Sequence, residues 1–453
     1  MEQREIPTLI LALTFVVSSG SGALAAAEDD RYRFAEGASE ETSALLTPTP
    51  RGVEWKWVSP REDDWDTAFL GVRIAGSEKE PSVEIAAGTT RIPQHLDPYA
   101  VGLRWLNLTG LRGQLSEGAS VAIEGKGVTL EPGEAKVRVF SNRLDLSKKI
   151  LIVAPHPDDA ELAAFGLYAG RQVTIVTVTS GNAGDFNYRA NVSDPAEHYK
   201  LKGYLRAVDS VTVPWQGGVP PERAYNLGYF DARLEAMRAS PDEPVAEMYG
   251  PNQDVSVYRR ANLSNLLPNG PRTATWSHLI EDLREVVKKV DPAVIVMPHP
   301  LLDSHRDHQV AAAAVVEALE RSNEKHTFLL YTNHASENRY PFGPAGTSVP
   351  LPPWSAGDIE VEGMYSHPVP PELQVRKLFA LESMHDLRLS PDEQSICHAE
   401  DVVFRPDYPR IPEVDYFRRG VRSEELFFVH TRDGVQEQVQ TFLRSLAELE
   451  TSR

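Results

Sequence analysis

In the stretch KKILIVAPHPDDAELAAFG, an apolar run ends on His156, Asp158 and Asp159, and a segment of helical texture follows. Ligands of open α/β sheets bind just outside the carboxyl ends of the strands, where these three side chains fall. His156 and Asp159 are three positions apart across the strand-to-helix turn, near enough to bite one ion together. Asp158 is left to cap the helix or to act as a base. The competing reading is that both aspartates only cap a helix and His156 packs in the turn.

A second stretch, VIVMPHPLLDSHRDHQVAAAA, repeats the pattern: a buried strand ends at Pro298, and His299, Asp303, His305, Asp307 and His308 crowd the loop before the next helix. Charges packed so densely at a strand end call for an ion or a substrate to meet them; the alternative is a histidine-rich surface loop. Two such clusters on neighbouring strands suggest one shared site. Two histidines and a carboxylate suit a divalent metal with open positions. That describes hydrolytic zinc holding a water, and equally the facial triad of non-haem iron(II) oxygenases. Spacing does not choose between them. The oxygenase triad normally sits in a jelly roll rather than at parallel strand ends, an argument from fold analogy alone.

The elements that must position these residues follow from periodicity. KILIVAP, QVTIVTVTSG and PAVIVMP read as strands buried on both faces, and AELAAFGLYAG, WSHLIEDLREVVKKV and QVAAAAVVEALERS as helices. Strand and helix alternate as in a doubly wound, mainly parallel, Rossmann-like α/β domain, assigned to residues 146–453. ELFFVHT predicts a late strand, and VQEQVQTFLRSLAELE a closing amphipathic helix. The proline- and glycine-rich stretch 340–371 predicts loop. Before this domain, AFLGVRI, SVEIAAG, ASVAIEG and AKVRVF are short β-rich runs between turn clusters, which predicts an all-β, sandwich-like domain over 51–145. Residues 28–50 are polar and read as a linker.

The first 27 residues carry an apolar core, Ile6 to Val17, and an Ala23-Leu24-Ala25 pattern ahead of an acidic stretch, the signature of a secretory signal peptide. Export to a periplasmic, cell-surface or extracellular location is therefore expected, without a stable transmembrane span, which wants about 20 apolar residues. Asn107, Asn191 and Asn262 open glycosylation sequons. Cys397 is the only cysteine, so no intramolecular disulfide is possible, and it reads as an inert thiol. The 453 residues carry a formal net charge of −19, which argues against nucleic acid or an anionic membrane surface as partner. Trp55, Trp57, Trp65 and Trp105 are candidates for sugar stacking, with a plain core role as the competing reading.

PHPDDAEL resembles the AHPDDxE signature of the PIG-L/LmbE-like zinc de-N-acetylases, and DSHRDH resembles that family's D-x-H-P-D-H. The resemblance extends in order through VTIVTVTSGNAGD, LGYFD, RKLFAL and FRRGVRSEELFF, over about residues 148–432, and leaves the N-terminal β-domain outside. It implies one Zn²⁺ held by His156, Asp159 and His308, with Asp158 as general base. His305 would polarise the carbonyl or protonate the leaving amine. Asp303 and Asp307 are candidates to orient the histidines or to cap the loop. Asp231 of LGYFD matches a position that faces the sugar. Where the family carries an R-x-x-E helix, EHYKLKGYLRAVDS offers Lys202 and Arg206 as substrate contacts. The implied activity is secreted removal of the acetyl group from an N-acetylated amino sugar in a glycan or glycoconjugate. The competing classes are a cell-surface carbohydrate-binding protein without turnover and, behind it, the iron(II) oxygenase.

Overall fold

The computed structural model describes residues 29–59, 64–320, 322, 324–336, 338–385 and 419–451. The export segment expected over 1–27 and Cys397 lie outside them.

Alternating apolar and polar residues fold the N-terminal part into β2 (Glu40–Thr49), β3 (Gly52–Lys56), β4 (Thr67–Ala87), β5 (Thr90–His95), β6 (Gly102–Asn107), β7 (Ser120–Leu130) and β8 (Gly133–Phe140), after a short β1 (Tyr32–Phe34). The first half of β4 pairs with β6 and β8, and its second half with β5 and β7. Register shifts lie between the halves, around Gly76 and Ser77 to Ser82. β2 and β3 pair with each other and with β8 and β7, so the strands enclose one core of Leu46, Val53, Leu70, Val72, Ile85, Ile123 and Val137. Trp55, Trp57, Trp65 and Trp105 are all buried, which favours their core reading.

Residues 29–50, expected as linker, carry β1 and β2. Mean polarity misleads here because β2 needs only Ala44 and Leu46 turned inward, while Ser43, Leu45 and Thr47 between and beside them face solvent.

The second part runs β9 (Ile150–Ala154), α1 (Asp159–Tyr168), β10 (Val173–Thr179), α2 (Pro195–Thr212), β11 (Ala224–Tyr229), α3 (Leu234–Ala239), α4 (Ser256–Arg259), α5 (Trp276–Val290), β12 (Val294–Pro298), α6 (Arg306–Leu319), β13 (Thr327–Tyr331), β14 (Ile359–Val361), β15 (Met364–Pro368), α7 (Pro371–Ser383), β16 (Glu424–His430) and α8 (Arg432–Thr451). Its sheet has the order β11-β10-β9-β12-β13-β16-β15, five parallel strands followed by an antiparallel pair. Leu151 and Val153 of β9 pack into one core with residues of α5 and α6, while Ile150, Ile152 and Ala154 pack into another with residues of α1 and α7. Both faces are covered, hence the unbroken apolar run. The order reverses at β9 and β12, and both chemistry-bearing loops leave the carboxyl ends of that central pair.

The expected loop 340–371 contains β14 and β15. β15 is an edge strand, where a terminal Pro368 removes no needed ladder bond. The two parts join along it: β1 pairs parallel with β14, Ser366 N–H donates to Thr67 Oγ1 at 3.0 Å, and Asn107 Nδ2 donates to Ser366 Oγ at 2.9 Å. Among the described residues, no helix is long and apolar enough to cross a membrane.

Candidate metal centre and catalytic cleft

Two loops, one after β9 and one after β12, bring three donor atoms together. His156 Nδ1 is 3.1 Å from His308 Nε2 and 3.4 Å from Asp159 Oδ2, and His308 Nε2 is 3.1 Å from the same oxygen. Ligands about 2.0–2.2 Å from a tetrahedral zinc stand about 3.3–3.6 Å apart, so this triangle fits one such ion. The nitrogens on the far sides of both rings are tied to carboxylates. His308 Nδ1 is 3.0 Å from Asp303 Oδ2, and His156 Nε2 is 3.2 Å from Asp231 Oδ1 and 3.3 Å from Asp307 Oδ2. An N–H donated outward fixes the tautomer and turns the other lone pair inward, the usual arrangement of a metal-binding histidine. Donor atoms in three further combinations lie within 4.8 Å of one another: His156, His305 and His308; Asp159, His308 and His334; and His156, Asp231 and Asp307. The triad of His156, Asp159 and His308 is the one whose two rings both have carboxylate backing.

The electrostatics point the same way. Burial pushes His308 down, but Asp159 and Asp303 outweigh it and raise the ring to about 10. Burial likewise opposes protonation of His156, yet Asp231, Asp159 and Asp307 hold it well above the ordinary histidine range. Burial would raise Asp159 and Asp231, and the facing imidazoles keep both well below the usual carboxylate range. A buried cluster with this excess of carboxylates calls for positive charge at its centre, which a divalent cation would supply in place of the ring protons.

Asp158 does not cap α1 with its side chain, which disposes of the helix-cap reading for this residue. Its backbone sits at φ 118°, ψ −30°, a conformation that L residues rarely adopt and that clusters at functional sites. Arg206 of α2 holds the carboxylate, Nη2 donating to Asp158 Oδ2 at 2.9 Å and to Pro157 O at 2.8 Å. The guanidinium reaches it past Gly181, whose φ is +67° and where a Cβ would lie 2.6 Å from Arg206 Nη1. That glycine, in the turn after β10, clears the path.

His156, Asp158, Leu162, Arg206, Asp231, His305 and His334 line a cleft of about 150 Å³. His305 stands at the start of α6, and Asp307 N–H donates to its Nδ1 at 3.3 Å, which leaves the ring hydrogen on Nε2. Burial and the neighbouring His156, His308 and His334 depress it to about 3. A neutral N–H donor suits the carbonyl-polarising role; as an acid His305 must first receive the proton it gives.

Asp303 faces His308 Nδ1 and accepts also from Asn333 N–H at 2.9 Å and His305 N–H at 3.0 Å. Asp307 lies against His156 rather than His308 and is fixed by Ala232 N–H at 2.6 Å. Asp231 is in the cleft wall, its N–H donated to Asn182 Oδ1 at 3.0 Å. Arg206 reaches the cleft, but Lys202 does not line it. The Lys202 ammonium donates to Asp185 O at 2.8 Å and Asn187 Oδ1 at 3.1 Å, bracing the turn after β10. His299 stands apart, buried against Phe428, its Nδ1 accepting from Leu301 and Leu302 N–H.

Residues that sequence reasoning passed over complete the site. Asn333 Nδ2 donates to Asp159 Oδ1 at 2.8 Å, and the His334 ring lies 4.7 Å from that of His308. Both follow β13, so the strand-end rule applied to LLYTNH would have found them. Deeper, α1 is interrupted at Ala164 (φ −143°, ψ 19°). Glu425 of β16 enters the break and accepts from Gly166 and Leu167 N–H, both at 2.8 Å. Lys377 of α7 donates to Leu162 O at 2.8 Å and to Glu425 at 2.9 Å. This buried pair rebuilds the hydrogen bonds the kink removes.

Together the strand order and the cluster define an α/β protein with a histidine–aspartate cluster able to hold a cation at its central strand ends. Residues 151–319 match the family model PIG-L: GlcNAc-PI de-N-acetylase. The match runs from β9 through α6 and so takes in His156, Asp158, Asp159, Asp231, His305 and His308; RKLFAL and FRRGVRSEELFF fall beyond it. No protein of curated function matches the chain. Similar solved structures include GalB, the 4-carboxy-2-hydroxymuconate hydratase of Pseudomonas putida KT2440, at 12% identity and a TM-score of 0.28, over 63% of this chain and 95% of that one. Another is the acetyl xylan esterase Est2A from the rumen bacterium Butyrivibrio proteoclasticus, at 13% identity and a TM-score of 0.17, over 65% of this chain and 90% of that one. Likenesses at these scores carry no argument about fold or function.

Proposed function

We propose that the chain is an exported, zinc-dependent amide hydrolase that releases acetate from an N-acetylated amino sugar within a glycan or glycoconjugate. The observation that carries the reading is the convergence of His156, Asp159 and His308 on one point at the edge of a cleft whose wall carries Asp158, gripped by Arg206. The family match and the cluster support hydrolysis, and the apolar N-terminal stretch supports export. The strand order supports a Rossmann-like, doubly wound reading of the catalytic part.

His156, Asp159 and His308 would hold the zinc, which when bound supplies an activated water and charge stabilisation for the developing oxyanion. Asp158 takes the proton of the attacking water. Arg206 holds that carboxylate in the cleft wall. His305 Nε2–H donates to the acetamide oxygen as charge builds there. The proton then passes to the departing nitrogen as the C–N bond breaks, directly from Asp158 or through His305, leaving acetate and a free amine. Asp231, in the cleft wall beside His156, offers an acceptor to a sugar hydroxyl.

The test is free-amine release from a panel of N-acetylated sugars and oligosaccharides, with metal content measured alongside. Asp158→Asn is expected to retain the metal and lose about 10²–10⁴ in rate, the usual worth of a positioned acid–base group. Metal-loaded protein that releases no amine from any acetamido sugar would remove the reading.

A further inference from the structure

Beside the cleft lies a stack of aromatic rings that the chemistry above does not use. Tyr199 of α2 is covered on one side by Tyr249, with centroids 3.8 Å apart and planes at 12°, and lies nearly parallel to Phe186 at 5.7 Å and 16°. Tyr199 is buried at 8% exposure, whereas Tyr249, at the end of the stack, is 38% exposed. A large aromatic ring left this open on a rigid support invites a flat, partly apolar occupant.

The support is rigid because α2 straps the loop beneath it. Tyr199 OH donates to Gly184 O at 2.7 Å, and Lys202 Nζ to Asp185 O at 2.8 Å. His198 Nε2 accepts from Tyr188 N–H at 3.0 Å. Hydrogen bonds also link the segment of the stack to the cleft wall. Asn182, whose Oδ1 accepts from Asp231 N–H at 3.0 Å, donates its Nδ2 to Glu247 Oε2 at 3.3 Å, two residues before Tyr249. One side chain therefore ties the cleft wall to the platform.

We propose that Tyr249, backed by Tyr199 and Phe186, is a stacking surface for a neighbouring pyranose of an oligosaccharide whose N-acetylated residue occupies the cleft. This inference rests on the deacetylase reading and narrows its substrate to a glycan chain rather than a free amino sugar. A pyranose presents an apolar C–H face to the ring and hydroxyls around its rim. The chain's net charge of −19 disfavours the other flat occupants, bases of a nucleic acid. Lys202 and Asn182 thereby gain a use: they position the platform and the cleft wall relative to each other.

The experiment compares kcat/KM for N-acetylglucosamine and its β-1,4-linked tetramer in the wild type, Tyr249→Ala and Tyr249→Phe, each with zinc content and thermal midpoint measured. One stacked ring is worth up to about tenfold, so the wild-type tetramer-to-monomer ratio is expected near that value. It should fall close to one in Tyr249→Ala through KM, and persist in Tyr249→Phe, which keeps the ring. A ring that merely pins the loop would move both substrates together and leave the ratio unchanged in Tyr249→Ala, which overturns the proposal, as does loss of the ratio in Tyr249→Phe. If neither substrate releases amine, the deacetylase reading is judged separately on the full panel of acetamido sugars. Calorimetric titration with the tetramer then decides the platform: binding that Tyr249→Ala weakens about tenfold supports it, and equal binding or none overturns it.

Discussion

Replacing Lys377 by Met removes an ammonium buried to 1% exposure that serves two acceptors, Leu162 O at 2.8 Å and Glu425 Oε1 at 2.9 Å. Met has nearly the same length and no donor, so packing is kept and the charge is lost. Glu425 then remains as a buried carboxylate held only by Gly166 and Leu167 N–H. Breaking a buried pair by deleting one partner costs about 3–5 kcal/mol, a large share of the roughly 5–15 kcal/mol that stabilises a folded domain. The strain is delivered into α1, whose first turn carries Asp159, so zinc affinity should fall as well as stability. Urea unfolding followed by circular dichroism reads the first effect, and chelator competition reads the second. Glu425→Gln alone should cost a similar amount. The double variant should cost less than the sum, because each single change leaves the other charge stranded. A loss under about 1 kcal/mol in Lys377→Met, or strict additivity in the double variant, would refute the assignment of this pair to the kink. A full stability loss with unaltered zinc affinity would confine it to folding.

Three further outcomes test separate parts of the site. Asp303→Ala, which frees His308 Nδ1, should weaken zinc binding about 10- to 100-fold in chelator competition, and an unchanged affinity would deny Asp303 its orienting role. Gly181→Ala places a Cβ 2.6 Å from Arg206 Nη1 at a φ of +67°, so amine release should fall while zinc content holds; an unaltered rate would show that Arg206 does not need that path. Expressed in a glycosylating host, the chain should carry a glycan at Asn191 and not at Asn107 or Asn262, whose side chains are buried and hydrogen-bonded, and peptide mass spectrometry would detect the contrary.

What could be read from the sequence was what depends on local pattern. Continuous apolar runs ending in His156 and His299 announced strands buried on both faces, and titratable residues at their carboxyl ends announced a site. The two charged clusters do meet, because the sheet order sets β9 beside β12. Period two was harder to see where the inward residues were few, and so β2 was read as linker. The proline-rich stretch hid β15 because edge strands tolerate proline. Least legible were groups whose purpose depends on a partner far along the chain. Lys377 and Glu425 are ordinary charged residues of a helix and a strand until α1 is seen to break between them. Asn333 and His334 passed unnoticed because one asparagine and one histidine after a strand carry no repeating pattern, only position.

The alternation of side chains along β16 links the two halves of the molecule. Glu424 and Glu425 are neighbours, and successive strand residues point to opposite faces. Glu425 enters the break in α1. Glu424 turns the other way, into the joint with the β-domain, where its Oε1 accepts from Val349 N–H at 2.7 Å and Asn107 Nδ2 at 3.3 Å. Next to it, β15 would present the sheet's open edge, a template for unwanted pairing, were Thr67, Asn107 and Asn142 of the β-domain side not bonded to Ser366 and Met364 along it. The β-domain therefore closes an edge and fixes the strand whose next residue completes the helix of Asp159. Removing the β-domain should therefore unsettle the helix of Asp159 and with it the candidate metal centre.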